Sequence, residues 1–170
     1  MRRLNDRADD LSYESARQKA YRLLALRGRS ILEIRTKLRD KGFEETIVEK
    51  VVSRLVELKF LDDSAFARDW ARSLALNKCY GNYWISRSLL EKGIAQDLIK
   101  TAIAEIRHDI PETEALRILL KKKLKDRKIA DLDNKDRDRL SRSLLGKGFP
   151  ADLVYDVLRN KEDVEIDERE

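Results

Sequence analysis

The sequence predicts an all-α chain of three tandem three-helix repeats in an elongated array, and three observations carry that reading. A Leu-x-x-Lys-Gly-apolar hexamer occurs at Leu38 to Phe43, Leu89 to Ile94 and Leu144 to Phe149, with its glycines 51 and 55 residues apart, the length of one small three-helix unit. Four and eight residues before each glycine stand Leu38 and Ile34, Leu89 and Ile85, Leu144 and Leu140. Five, six, nine and ten residues after it stand Ile47, Val48, Val51 and Val52, then Leu98, Ile99, Ala102 and Ile103, then Leu153, Val154, Val157 and Leu158. These are the spacings of one apolar helix face on either side of the glycine. Finally, 41% of the residues are charged while six Gly and two Pro are spread over 170 positions, the composition of a surface-rich helical chain.

Each hexamer reads as a helix-to-helix corner. Glycine just past the last turn accepts a left-handed backbone that a residue with a Cβ resists. Lysine before it suits the negative end of the helix dipole, and the apolar residue after it folds back on the helix it leaves.

Residues 1–14 show no strong period and are expected to form a flexible lead-in. The first repeat, 15–60, begins near Ser15 with Ala16, Ala20, Leu23 and Leu24 at helix spacing. Ser30-Ile31-Leu32-Glu33 then matches a capping box for the helix that ends at Gly42, and Glu45 to Leu58 forms the third helix. The second repeat, 61–110, opens with the acidic cap Asp62-Asp63-Ser64 ahead of Phe66, Ala67, Trp70, Ala71 and Leu74; its second helix runs from Tyr83 to Lys92 and its third from Ala95 to His108. The third repeat, 111–160, starts at Pro111-Glu112, where proline and acids belong. Arg127 to Lys135 reads as a long polar loop, Asp136 as the cap of the next helix and Pro150 as the start of the last. An acidic tail, 161–170, is expected to be solvated.

Composition narrows the function. No run of about 18 apolar residues is present, and the N-terminus lacks the apolar core of a signal peptide, so a soluble cytoplasmic protein is expected. The lone Cys79 cannot make an internal disulfide or a cysteine-based zinc site and reads as packing. Net charge is +5, but the last ten residues hold six acids and two bases, so the preceding body carries +9. Such a surface favours a polyanionic partner.

The residues for catalysis are not at hand: there is no Gly-rich phosphate loop, and the only histidine, His108, stands at a helix end with nothing spaced to join it. A non-enzyme without catalytic residues, cofactor or metal is expected. Three-helix units also raise the alternative of a tandem helix-turn-helix DNA-binding regulator, whose last helices must offer Arg, Asn, Gln or Lys to base edges. Here those helices are acid-rich, with Glu44, Glu45, Glu49 and Glu57, then Asp97 and Glu105, then Asp152 and Asp156. The bases fall on first and second helices instead, a pattern that suits contact along an extended groove. Candidate partner-binding residues are Arg35, Arg39, Lys41, Arg68, Arg72, Lys78, Arg87, Lys92, Arg117, Lys121 and Lys122. Tyr80, Tyr83 and Trp84 join them, as aromatics among bases that stack on nucleobases or anchor a protein interface.

The segment Leu61-Asp62-Asp63-x-x-Phe66-Ala67-x-x-Trp70, followed by Tyr80-Gly81 and Ile85-x-x-x-Leu89-x-x-Lys92-Gly93-Ile94 between flanking repeats of like length, resembles the RecX regulatory proteins. The resemblance covers roughly residues 15–160 and is most specific in the middle repeat. It departs where that family carries bases at the start of the helix after Gly81: here stand Trp84 and Ser86, with Arg87 one position on. The resemblance implies tandem three-helix repeats and binding along the groove of the RecA filament on single-stranded DNA. It implies suppression of RecA ATPase and strand exchange, and with them recombination and the SOS response. A monomer with weak non-specific DNA contact and no membrane association is expected.

Overall fold

The computed structural model describes residues 2–125 and 127–159, with side chains from Ser12 onward. Among these residues there are nine α-helices and no strand: α1 (Arg2–Leu26), α2 (Ile31–Arg39), α3 (Glu45–Glu57), α4 (Asp63–Asn77), α5 (Asn82–Glu91), α6 (Gln96–Asp109), α7 (Glu112–Leu124), α8 (Asn134–Leu145) and α9 (Ala151–Arg159).

The three corners take the expected geometry. Gly42, Gly93 and Gly148 have φ of 81°, 75° and 83°. At the first, Gly42 N–H donates to the Arg39 carbonyl (2.8 Å) and Phe43 N–H to the Leu38 carbonyl (3.3 Å); at the second, Gly93 donates to Leu90 (2.9 Å) and Ile94 to Leu89 (3.1 Å). These paired bonds satisfy the last carbonyls of α2 and α5 and turn the apolar residue inward. Ile34, Leu38, Ile85, Leu89, Leu140 and Leu144 are all buried. The capping box is also present: Ser30 Oγ accepts from the Glu33 amide (3.1 Å), and Glu33 Oε2 accepts from the Ser30 amide (3.3 Å).

Four sequence expectations change or fall outside the described residues. The lead-in over 1–14 is helical from Arg2, as the first half of α1. It has no apolar period, but no Gly or Pro interrupts the chain before Gly28, and elongation from an existing turn gains one hydrogen bond for each residue fixed. The polar loop after α7 contains a 3₁₀ turn, Ile129–Asp131, that buries Ile129 and Leu132 in the core. Asp133 rather than Asp136 caps α8, its carboxylate accepting from the Asp136 amide at 2.7 Å. The acidic tail, 161–170, lies outside the described residues.

By its internal packing the chain divides into two compact units, one from Met1–Ala67 with Leu89–Ile99, the other from Arg68–Ser88 with the chain from Lys100 onward. The middle repeat is thus divided between them, as expected if a bundle near 50 residues buries too little surface to stand alone. In the first unit α1 and α2 pack on α3. Ala16 and Ala20 admit Ile34, Leu38, Ile47, Val48, Val51, Val52, Leu55 and Leu61 at close range. In the second unit α9 packs on α7 and α8, around Leu116, Leu120, Leu144, Phe149, Val154 and Leu158, with Cys79 buried at the edge of this cluster.

Candidate functional site

Most of the candidate arginines carry an acid partner. Arg35 on α2 forms two hydrogen bonds to Glu49 on α3, both at 2.7 Å, and Arg39 pairs likewise with Glu45. The Arg39 pair holds the Glu45 carboxyl below its ordinary range and the guanidinium above its own. In the second unit Arg72 reaches Asp109 at 3.1 Å and Arg68 stands 3.9 Å from Glu105, the four lining an open groove of about 670 Å³ between α4 and α6. Arg117 stands 3.8 Å from Glu114. Third-helix acids therefore neutralise first- and second-helix arginines, which the sequence pattern had separated only by helix.

Lysines at the end of α7 are arranged differently. Lys121, Lys122, Lys123 and Lys125 are exposed, and no acid pairs with them among the described residues. Lys122 Nζ lies 3.6 Å from Cys79 Sγ, beside the α4–α5 turn that also carries Lys78 and Tyr80. Lys147 completes this group, its ammonium 4.8 Å from the centre of the Tyr80 ring and 3.2 Å from the Lys78 carbonyl. Tyr83, more than half exposed, meets Trp84 edge-on at 5.2 Å between ring centres, and the Arg87 guanidinium lies 5.3 Å above the Trp84 ring. Lys78, Tyr80, Tyr83, Trp84, Arg87 and Lys122 thus sit on or beside one turn and its flanking helices, with Lys121 next to Lys122 on α7.

Trp84 and the nearby Gly81 also hold the fold. Trp84 Nε1 donates to the Gly146 carbonyl (2.9 Å), and Gly81 N–H donates to the Lys147 carbonyl (2.8 Å), joining the start of α5 to the end of α8. Lys92, by contrast with the other candidates, is turned inward: it bonds Glu33 at 3.0 Å, and its side chain is 17% exposed. Burial alone would raise the Glu33 carboxyl, but hydrogen bonds from Arg27, Lys92 and the Ser30 amide overcome it and hold the group at about 2. Lys41, at the equivalent corner of the first repeat, is exposed and has no partner among the described residues.

Sequence reasoning missed Arg107. Its guanidinium donates to Asn82 Oδ1 (2.7 Å) and the Tyr80 carbonyl (3.1 Å), while Glu112 accepts from the Asn82 backbone and side-chain amides at 2.7 and 2.6 Å. Burial pushes Arg107 below its ordinary value, opposed by the Glu112 carboxylate. The network locks the aromatic turn to α6 and α7. Glu112 in a first turn and Asn82 at a helix start were the legible signs; that one arginine joins them was not.

Among the described residues no group of His, Cys, Asp and Glu is placed to hold a metal ion, and no helix is long and apolar enough to cross a membrane. His108 is 91% exposed. What the described residues present is a set of charged and aromatic surfaces on three-helix repeats. Models of the first, second and third three-helix domains of RecX match residues 16–55, 62–103 and 111–158. The regulatory protein RecX of Mycolicibacterium vanbaalenii is 31% identical over 150 residues, covering 85% of this chain and 81% of that protein. That of Clostridium botulinum is 34% identical over 135 residues, covering 79% of this chain and 62% of that one. In fold, a crystal structure of RecX from Lactobacillus salivarius matches with a TM-score of 0.73 at 23% identity, over 87% of this chain and 95% of that one. The chain belongs to the RecX family of regulatory proteins.

Proposed function

We propose that this protein binds along the groove of the RecA filament on single-stranded DNA and restrains RecA's ATPase and strand exchange. The observation that carries the reading is the sorting of charge. The exposed faces of α3, α6 and α9 are acid-rich, and acids of α3 and α6 pair with arginines of α2 and α4, which disfavours insertion of third helices into a major groove. Lysines without an acid partner among the described residues cluster at the end of α7, near the aromatic turn, where a nucleic-acid backbone and a protein surface presented together both find a complement. Membership in a family of regulatory proteins, rather than enzymes, supports the same reading.

Titration against random duplex, bare single strands and RecA assembled on single strands tests it, with RecA ATPase as the activity readout. The expected result is preference for the filament and falling ATPase. Reversal of charge at Lys121 with Lys122 should weaken filament binding while leaving the melting temperature in place, since surface changes usually alter stability by less than about 0.5 kcal/mol. Selective binding to one duplex sequence without preference for the filament would instead establish a tandem helix-turn-helix DNA-binding regulator.

A further inference from the structure

Two of the three hexamer corners are covered, and in the same manner. Over Lys92–Gly93 lies the start of α2: Ser30 Oγ donates to the Lys92 carbonyl (2.7 Å), Glu33 accepts from its ammonium (3.0 Å), and Leu32 lies against the glycine, 2.6 Å from where a Cβ would stand. Over Lys147–Gly148 lies the start of α5: Gly81 N–H donates to the Lys147 carbonyl (2.8 Å), Tyr80 and the Lys78 carbonyl receive its ammonium, and Trp84 lies 2.6 Å from the Gly148 Cβ position. In both, the positive end of one helix meets the carbonyls at the negative end of another, with a bulky apolar side chain seated on glycine.

The first corner, Lys41-Gly42-Phe43, has the same hexamer, the same left-handed glycine and the same paired backbone bonds as the second. Among the described residues, nothing lies within 4 Å of the Gly42 Cβ position, and neither the carbonyl nor the ammonium of Lys41 has a partner. We propose that this corner is a docking site for the first turn of a helix on a partner protein. That helix carries a Ser or Gly cap to donate to the Lys41 carbonyl, a bulky apolar residue for Gly42 and a carboxylate for the Lys41 ammonium. The inference rests on the filament reading above and assigns the corner to RecA protein rather than to DNA. A phosphate group would satisfy the ammonium alone, leaving the carbonyl without a donor and the glycine seat empty.

A second copy of this chain is a poor occupant. The helix that would be offered is α8, whose cap Asp133 stands 15 residues before Gly148, whereas Ser30 and Gly81 each stand 12 before their glycines. The position matching Ser30 and Gly81 is Asp136, inside α8, with its amide already held by Asp133. The start of α8 therefore offers no free cap at the matching position.

The test uses the full chain with RecA filaments on single-stranded DNA. A photo-crosslinking benzoylphenylalanine replacing Lys41 should attach to RecA protein within the first turn of a helix. Gly42→Asn keeps the left-handed backbone while filling the seat, and Lys41→Glu repels the carboxylate. Each should weaken filament binding roughly tenfold with circular dichroism unchanged. Crosslinks to DNA alone, crosslinks to a second copy of this chain, or parental affinity in both variants would overturn the docking site and leave the filament reading standing. A parent protein that does not bind filaments would overturn both.

Discussion

Gly81→Ala should detach the third repeat's corner from the start of α5. The new Cβ would stand 2.2 Å from the Gly148 carbonyl oxygen and 2.6 Å from the Phe149 nitrogen. Both are backbone atoms, so no side chain can rotate away, and an ordinary contact requires the start of α5 to withdraw by roughly 1 Å. That movement breaks both the 2.8 Å bond from Gly81 N–H to the Lys147 carbonyl and the 2.9 Å bond from Trp84 to the Gly146 carbonyl. Two lost hydrogen bonds at about 1 kcal/mol each, with overpacking at about 1–3, amount to roughly 3–5 kcal/mol. For a chain of this length that lowers the melting temperature by roughly 6–20 °C. Gly42→Ala is the matched control: its φ of 81° imposes backbone strain of about 1–2 kcal/mol, with no atom within 4 Å to clash. Thermal and urea unfolding followed by circular dichroism measure both, and hydrogen exchange at Gly81 reports the junction directly. A Gly81→Ala protein no less stable than Gly42→Ala would refute this account of the corner.

Other perturbations have equally definite outcomes. Glu33 titrates at about 2 instead of 4.5 because bonds from Arg27, Lys92 and the Ser30 amide outweigh its burial, so its stabilisation is present above the ordinary value and disappears as pH falls toward 2. Glu33→Gln should therefore cost on the order of 2 kcal/mol near neutrality and only a small part of that near pH 2, so that urea titrations of parent and variant draw together in acid. Lys59 adopts φ 59° at the end of α3, in the seat where a glycine carries no Cβ strain, and Lys59→Gly should raise the unfolding free energy by roughly 0.5–1 kcal/mol, read as a higher urea midpoint. Leu38→Ala and Leu89→Ala remove fully buried side chains and should each cost roughly 2–5 kcal/mol in urea titrations.

Sequence alone determined what depends on neighbours along the chain. The hexamer spacing, the apolar positions at four and eight residues before each glycine, the capping box at Ser30 and the left-handed glycines were all legible, because helix period, capping and Cβ strain act within a turn or two. Local reasoning failed where the deciding partner was distant. Ile129 and Leu132 hid in a polar stretch until α7 and α9 supplied a core for them, whereas the helix over residues 2–14 was missed for a local reason, the lack of an apolar stripe along a segment that no Gly or Pro interrupts. The same limit governs the surface. Arg35, Arg39 and Arg72 were visible as bases, but only the packing of α2 on α3 and of α4 beside α6 set carboxylates against them and left the α7 lysines unpaired. The hexamer lysine shows the division most clearly. Sequence accounts for its place at the negative end of a helix, while tertiary structure gives Lys92 a carboxylate, Lys147 an aromatic ring and Lys41 neither, because the start of another helix lies over two of the corners and not over the first.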